Sequence, residues 1–420
     1  MGNWETPQPT IMKNRNTIIA VGLALACCTA LSAPAAPQET PAAAPAPAKG
    51  IPIAKPAELM KLTKVQPGLY TLRCAGMDKA QANFYGPYDA AAPAAKGVCA
   101  VPRFGCSSVV NGNFVGRNMD YFISPAPVFI LWTDGGKDHY ASLAMTFAPA
   151  DPANYMKESI TAPDDINRYN TPKQLARLTT MAQDGVNEKG LCCTSHVVDP
   201  VDSNNTERGT NPGAPELSMF MVCRYVLDHA ATADEAIELL KKRSIRVMNR
   251  GLILHWIIAD SNRCYIVEVV NDQLCYTDKK RVMTNFLHTQ PGINSHPWGV
   301  ERMQILEEHY HEGTSVEGMY NLMRRVHYTQ AYDLNTKPYW YSEKTGVGGD
   351  GSETTIQTPR YDPALRKEME EYAAALKVVT PENNPLLLWE TTYGTVYDMA
   401  NKAMRLMLHE KYDTFYDIKL

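Results

Sequence analysis

Apolar and polar positions alternate most clearly from residue 106 onward, and that alternation sets the expected elements. Cys106 to Val110 and Asn113 to Arg117 read as two strands around Asn111-Gly112, a dipeptide suited to a tight hairpin. Val128 to Thr133 and Ala141 to Phe147 read as a second pair, joined by the polar turn Asp134-Gly-Gly-Lys-Asp138. Apolar residues then recur at helical spacing in Pro172 to Gln183 and Glu216 to His229. Thr232-Ala-Asp-Glu235 has the form of a capping box opening a helix over Ala233 to Lys242. Strand patterns return at Leu252 to Ala259, at Cys264 to Val270 and, after the turn Asn271-Asp272, at Leu274 to Thr277. Trp298 to Tyr310 and Val316 to His327 are helical in period, and Thr392 to Met399 and Ala403 to Leu408 close the chain as strands. Strands first, helices in the middle and strands last imply an α+β layered domain with antiparallel sheets, not a parallel βαβ array.

The first 60 residues break this pattern. Met12-Lys13-Asn14-Arg15-Asn16 is basic, Thr17 to Leu31 is apolar, and Ser32-Ala33-Pro34-Ala35 is a run of small residues. That order is a secretory signal peptide with its true start at Met12, processed near Ala35. The apolar run is too short for a membrane span. Met1-Gly2 with Thr6 fits a myristoylation pattern, but the signal directly behind it argues for coincidence. Cys27 and Cys28 each lack the full setting of a lipoprotein site, so an anchor ranks below cleavage. Ala36 to Ala57 is rich in Ala and Pro and reads as a linker that cannot order itself. The expected division is signal 1–35, linker 36–58, propeptide 59–105 and main domain 106–420. The expected location is periplasmic or secreted, with no stable membrane span once the signal is gone.

Composition narrows the chemistry by exclusion. The net charge is -4 and 45% of residues are hydrophobic, enough for a sizeable core. Lys and Arg form no basic patch, so nucleic acid is not an expected partner. Of ten cysteines, two lie in the leader; the others can pair in an oxidising compartment, but their spacing does not give the pairing. Adjacent Cys192-Cys193 suits packing better than chelation, and no zinc-like spacing occurs. His288, His296, His309 and His311 lack companion ligands and are expected at the surface or in loops. Gly346 to Gly351 is glycine-dense without a following Lys-Ser/Thr, so it reads as a surface loop rather than a phosphate cradle. No cofactor or metal is expected. Oligomeric state stays open, a homo-oligomer included.

One stretch, Gly105-Cys-Ser-Ser to Gly116-Arg-Asn-Met-Asp-Tyr121, carries candidate chemistry. A cysteine thiol at neutral pH needs a base. If the chain is cut between Gly105 and Cys106, the new α-amine lies on the same residue, and its pKa near 8 suits proton transfer. Arg117 and Asp120 then fold back beside residue 106, the carboxylate fixing the ammonium and the guanidinium favouring the thiolate. The competing reading is a surface Arg–Asp pair and a buried structural cysteine.

Gly-Cys-Ser-Ser followed by Gly-Arg-Asn-Met-Asp-Tyr resembles the start of the mature chain in the choloylglycine hydrolase superfamily of N-terminal nucleophile hydrolases. That group includes bile salt hydrolases, penicillin V acylases, acid ceramidase and N-acylethanolamine acid amidase, and the wording is nearest the acid ceramidase side. Gly185-Val-Asn187-Glu-Lys-Gly190-Leu, Met283-Thr284-Asn285-Phe286, Glu301-Arg302 and Trp389 to Leu420 are similar to further family segments in order. The resemblance implies a four-layer αββα sandwich and a linear amide substrate with an apolar acyl group, such as an N-acyl amide or bile-acid conjugate. It implies Cys106 as nucleophile, Asp120 and Arg117 as its tuning pair, Asn285 and Asn187 as oxyanion donors, and Arg302 as part of the polar site. Two departures stand out: the Cys106 to Arg117 interval is short, and Cys106 lies far from the leader, which implies a long prosegment. Acyl transfer to a second amine, and a catalytically silent binding protein, remain as rival functions.

Overall fold

A computed structural model describes residues 49–76, 105–122, 127–147, 172–198, 209–247, 253–293, 299–333, 340–347, 353–359, 386–408 and 413–420. All of them fall in one compact unit, Pro47–Leu420. The expected signal peptide, most of the linker, residues 77–104 and most of the Gly346 to Gly351 loop lie outside the described residues.

The chain opens with β1 Lys49–Ile53, β2 Leu62–Gln66 and β3 Leu69–Ala75, then forms β4 Cys106–Asn111, β5 Phe114–Phe122, β6 Val128–Asp134 and β7 Ser142–Phe147. Helix α1 Pro172–Thr180 leads to β8 Asp184–Asn187, β9 Cys192–Val198 and the short β10 Glu216–Ser218. Helices α2 Val222–His229 and α3 Ala233–Lys241 precede β11 Ser244–Arg246, β12 Ile253–Ala259, β13 Cys264–Val270, β14 Gln273–Thr277 and β15 Val282–Met283. Helices α4 Val300–His309 and α5 Val316–Arg325 follow, then β16 Tyr328–Asp333, β17 Trp340–Val347, β18 Glu353–Pro359, β19 Leu386–Asp398, β20 Ala403–Leu408 and β21 Thr414–Lys419.

Two sheets carry the fold. One runs β14-β13-β12-β9-β8-β7-β6-β3-β2. The other includes β15-β4-β5-β19-β20-β21-β1, with β16, β17 and β18 extending from β19. Period-two alternation decides what each face covers. In the first sheet Ile130, Trp132, Leu143, Val186, Cys192 and Ile257 meet Cys106, Met119, Tyr393, Tyr397 and Leu406 of the second. Its other face turns Phe129, Leu131, Cys193 and Trp256 toward Leu178 of α1 and toward α2 and α3. The outer face of the second sheet buries Val109, Val396 and Met407 against Leu306, Met319 and Met323 of α4 and α5. Helix, sheet, sheet, helix is the four-layer αββα sandwich.

Local chemistry explains the boundaries. The α3 helix begins as the capping box requires: Thr232 Oγ1 accepts from Glu235 N at 3.2 Å. Glu235 Oε2 reaches one residue further back than expected, accepting from Ala231 N at 2.7 Å. In the β4–β5 hairpin the loop residues are Gly112 and Asn113, one position later than Asn111-Gly112, because Asn111 pairs with Phe114. Gly112 takes a positive φ of 55°, which glycine adopts without strain.

Several expectations need correction. Glu216 to His229 is not one helix; its first residues form β10, in parallel with β11, before a 3-10 turn Met219–Met221. Strand β1 occupies what reads as linker, and β2 and β3 occupy what reads as propeptide. The sheets are not wholly antiparallel either, since β3 runs parallel to β6 and β1 parallel to β21. A segment that enters from outside the meander order can join an edge or a gap in either direction, which alternation alone does not specify.

Candidate active site

The site is built on β4 and β5. Their register sets Cys106 opposite Met119, Ser107 opposite Asn118 and Ser108 opposite Arg117. Cys106, Met119 and Arg117 therefore share the face between the sheets, while Ser107, Asn118 and Asp120 share the face under the helices. Gly105 O accepts from Asp120 N at 2.8 Å, extending the ladder past the nucleophile candidate.

On the helical side, Arg302 of α4 is buried and gathers the polar atoms. Its Nη1 donates to Cys106 O at 2.9 Å, to Ser107 Oγ at 3.0 Å and to Asp120 Oδ2 at 3.3 Å. Its Nη2 donates to Asn285 Oδ1 at 3.0 Å. Asn285 Oδ1 also accepts from Cys106 N at 2.7 Å, and Asn285 Nδ2 donates to Val197 O at 2.8 Å. These partners fix the carboxamide, because Arg302 and the Cys106 amide can only donate and Val197 O can only accept. Asn285 thus offers Cys106 its oxygen, whereas the sequence reading has it offering an N–H to an oxyanion. Thr391 Oγ1 donates to Asp120 Oδ1 at 2.7 Å.

On the inter-sheet side, Arg117 Nη1 lies 3.0 Å from Asp184 Oδ2, both side chains fully buried. Arg117 Nη2 donates to Ser195 O at 3.0 Å, and the guanidinium stands 5.2 Å from the centroid of the Tyr393 ring. Tyr393 donates to Asp184 Oδ2 at 2.7 Å, and Tyr397 donates to Asp184 Oδ1. Met119 Sδ touches both Arg117 Nη2, at 3.5 Å, and Cys106 Sγ, at 3.9 Å. Burial disfavours the guanidinium charge, but Asp184 and Tyr393 more than offset this and hold Arg117 above its ordinary value. Burial pushes the Asp184 carboxyl up against the pull of Arg117 and the two tyrosines.

The Cys106 thiol is 2% exposed. Burial pushes its pKa up, Arg117 pulls it down, and the Asp120 charge works against that pull. In the intact chain it is therefore a thiol at neutral pH and needs a base. Behind it, Ser108 Oγ lies 2.8 Å from His196 Nε2, and burial with Arg117 holds His196 well below its usual range, hence neutral.

Five of the six expected site residues converge: Cys106, Arg117, Asp120, Asn285 and Arg302. Asn187 goes elsewhere. Its Nδ2 donates to Leu227 O at 3.0 Å and Ala230 O at 2.8 Å, and its Oδ1 accepts from Lys189 N and Leu191 N, both at 3.0 Å. Its carboxamide is fully used in tying the end of α2 to the β8–β9 turn. Asp184, Tyr393, Tyr397, Ser107 and Thr391 join the site although no motif in the sequence gives them a role. Tyr393 and Tyr397, four apart on one strand, share a face and hint at a common partner; nothing marks Asp184 as a buried anion. His288 lies in a loop, one of the two places expected, but is buried there, stacked on Phe286 with centroids 4.5 Å apart. Among the described residues no group of three or more His, Cys, Asp or Glu could hold a metal ion, and no helix is long and apolar enough to cross a membrane.

Fold and site together define an αββα sandwich with a buried cysteine at the head of a strand, its backbone N–H and carbonyl each held by a side chain. The sequence pattern of the linear amide C-N hydrolases, choloylglycine hydrolase family, matches residues 108–304. The matched stretch contains Arg117, Asp120, Asn187, Asn285 and Arg302. Among solved structures it is similar to a penicillin V acylase from Agrobacterium tumefaciens, at 15% identity and TM-score 0.33 over 72% of this chain and 82% of that one. It is similar as well to a mutant conjugated bile acid hydrolase from Clostridium perfringens, at 17% identity and TM-score 0.38 over 75% and 92%. No curated protein matches the chain.

Proposed function

We propose that the protein is an exported amidohydrolase that cleaves linear carbon–nitrogen amide bonds through an acyl-enzyme on Cys106, after the Gly105–Cys106 bond is cut. The substrate is an amide with an apolar acyl chain, of the N-acyl amide or bile-acid-conjugate type. One observation carries this reading: Asn285 Oδ1 accepts the Cys106 N–H at 2.7 Å while Arg302 holds the Cys106 carbonyl and Asn285 together. That clamp suits an α-amine as well as an amide N–H, since either donates to the same oxygen.

The chemistry follows from the cut. The free α-amine, with a pKa near 8, takes the thiol proton that burial otherwise retains. The thiolate forms beside the fixed charge of Arg117 and attacks the substrate carbonyl. Loss of the Gly105 carbonyl frees the Asp120 N–H, which then can donate to the developing oxyanion; such donors contribute about 3 kcal/mol to lowering a barrier. The α-ammonium protonates the departing amine, and water, deprotonated by the same α-amine, hydrolyses the thioester.

Intact-mass measurement of the purified chain tests the cut, and a panel of N-acyl amino acids, bile conjugates, ceramide and penicillin V tests the activity. A species beginning at Cys106 that releases amine from a panel member supports the proposal. A chain that stays joined at Gly105–Cys106 yet binds such amides points to a binding protein, and an active Cys106→Ala variant rules out the mechanism. Product analysis with an added acceptor amine separates hydrolysis from acyl transfer.

A further inference from the structure

Cys193 and Cys223 are thirty residues apart in sequence, yet their sulfurs stand 3.1 Å from each other. Cys193 lies on β9 and points to the helix-covered face; Cys223 is the second residue of α2, the helix lying over it. Both are buried, at 0% and 1% exposure. Beside Cys193 in the sheet stands Gly185, its cross-strand neighbour. A Cβ on Gly185 would stand 2.8 Å from Leu143 O and Ala144 Cβ of the sheet and from Leu227 Cδ1 of α2, so the position has no room for a side chain. The other end of α2 is fastened by Asn187, through Leu227 O and Ala230 O.

We infer that Cys193 and Cys223 form a structural disulfide that fastens the first turn of α2 to β9. A bond needs the sulfurs at about 2.05 Å, a closure of roughly one ångström that side-chain rotation supplies. The other described cysteines have different neighbours: Cys74 meets Thr133, Cys106 meets Met119, Cys264 faces Lys280 O and Cys275 accepts from Gln290 Nε2. Cys192, next in sequence, faces the opposite side of the sheet among the inter-sheet residues and cannot substitute for Cys193. Because both sulfurs are buried, the bond forms before α2 docks. One thiolate attacks an external disulfide and releases one thiol; the second cysteine attacks the mixed disulfide and releases the other. The two cysteines lose two electrons and two protons, and the external disulfide becomes two thiols.

The bond bears on the site through β9. The residues after Cys193 supply Thr194 and His196 to Ser108, Ser195 O to Arg117 and Val197 O to Asn285. Fixing β9 from the helix side steadies all of these contacts at once.

The full chain, folded with glutathione disulfide, denatured, alkylated without reduction and digested, gives the first readout. A peptide pair joined through Cys193 and Cys223, lighter by two hydrogens than its reduced sum, is expected. Alkylation of both sulfurs, or a bond from either to another cysteine, overturns the inference. The second readout is thermal melting: dithiothreitol lowers the midpoint of the wild type and leaves a Cys193→Ala, Cys223→Ala variant unmoved. An equal response in both proteins overturns it too. Neither readout depends on amidase activity.

Discussion

Arg117 and Asp120, three residues apart on β5, point to opposite faces of the strand and answer to different partners. Arg117 meets Asp184 between the sheets, and Asp120 meets Arg302 under α4. Cys106 is thus gripped from both sides of its sheet, its thiol on the Arg117 side and its carbonyl on the Arg302 side.

Asp184→Asn leaves the Arg117 charge buried beside neutral groups. Removing one partner of a buried pair costs roughly 3–5 kcal/mol, so the variant unfolds at markedly lower urea. Asp120→Asn costs less, because Arg302 keeps Cys106 O, Ser107 and Asn285. Urea unfolding of the two variants side by side checks the order; equal losses would show that the two arginines depend on their carboxylates alike.

Gly105 has no room for a side chain. A Cβ there would lie 2.7 Å from Asp120 Oδ2 and 3.4 Å from Arg302 Nη1. Gly105→Ala must therefore displace the scissile carbonyl or the Asp120–Arg302 pair. Slower or absent cutting before Cys106 is expected by intact mass over time, and cutting at the wild-type rate contradicts the geometry.

Asn187→Ala removes four hydrogen bonds to backbone and none to the site. Unmet backbone groups cost about 1–3 kcal/mol each when buried, so stability falls, whereas turnover per folded, matured enzyme stays near the wild type. A loss of about 100-fold or more in kcat on folded protein would instead assign Asn187 an oxyanion role.

Stability should fall with acid in two stages. Burial holds His288 at about 3 instead of 6.5. The unfolded chain therefore takes up a proton from pH 6.5 downward that the folded protein refuses, and each unit of acid favours unfolding. Burial would raise the Glu268 carboxyl, but His255, Thr289 and the His288 N–H hold it at about 2, below its usual 4.5. Its contribution is present above 4.5 and lost as pH falls toward 2. Unfolding free energies across this range should slope throughout, and Glu268→Gln should flatten only the part below pH 4.5.

Much of this fold is legible in sequence as short apolar runs bounded by turn residues, as in β4, β6, β7 and β13, although both faces of these strands are buried. It is least legible in β3, which is as deeply buried but breaks its apolar run with Thr71 and Arg73. The residues of the site are legible through motif order, but their roles depend on side-chain parity and partners. The odd spacing of Arg117 and Asp120 separates their faces only because β5 continues to Phe122, beyond its expected end. The turned carboxamide of Asn285 depends on Val197 O and Arg302, which lie 88 and 17 residues away. Asp184 needs Tyr393 and Tyr397, more than 200 residues distant, before it reads as more than a turn residue.

The position of β3 changes what a cut before Cys106 would make. β3 pairs with β6 from Leu69↔Val128 to Ala75↔Asp134, and β1 pairs with β21 from Lys49↔Thr414 to Ile53↔Ile418. Leu69 and Leu72 are wholly buried, and each such side chain stabilises by about 1.5–3 kcal/mol. Cutting would sever the chain without stripping these strands away, leaving a heterodimer of two fragments of one translation product. Its folding becomes bimolecular, so mass action makes its melting midpoint rise with protein concentration, while uncut Cys106→Ala melts at a fixed temperature. Gel filtration of the cut protein should carry both fragments in one peak, and a protein diluted far enough would lose its amino-terminal strands together with the support they give the inter-sheet core.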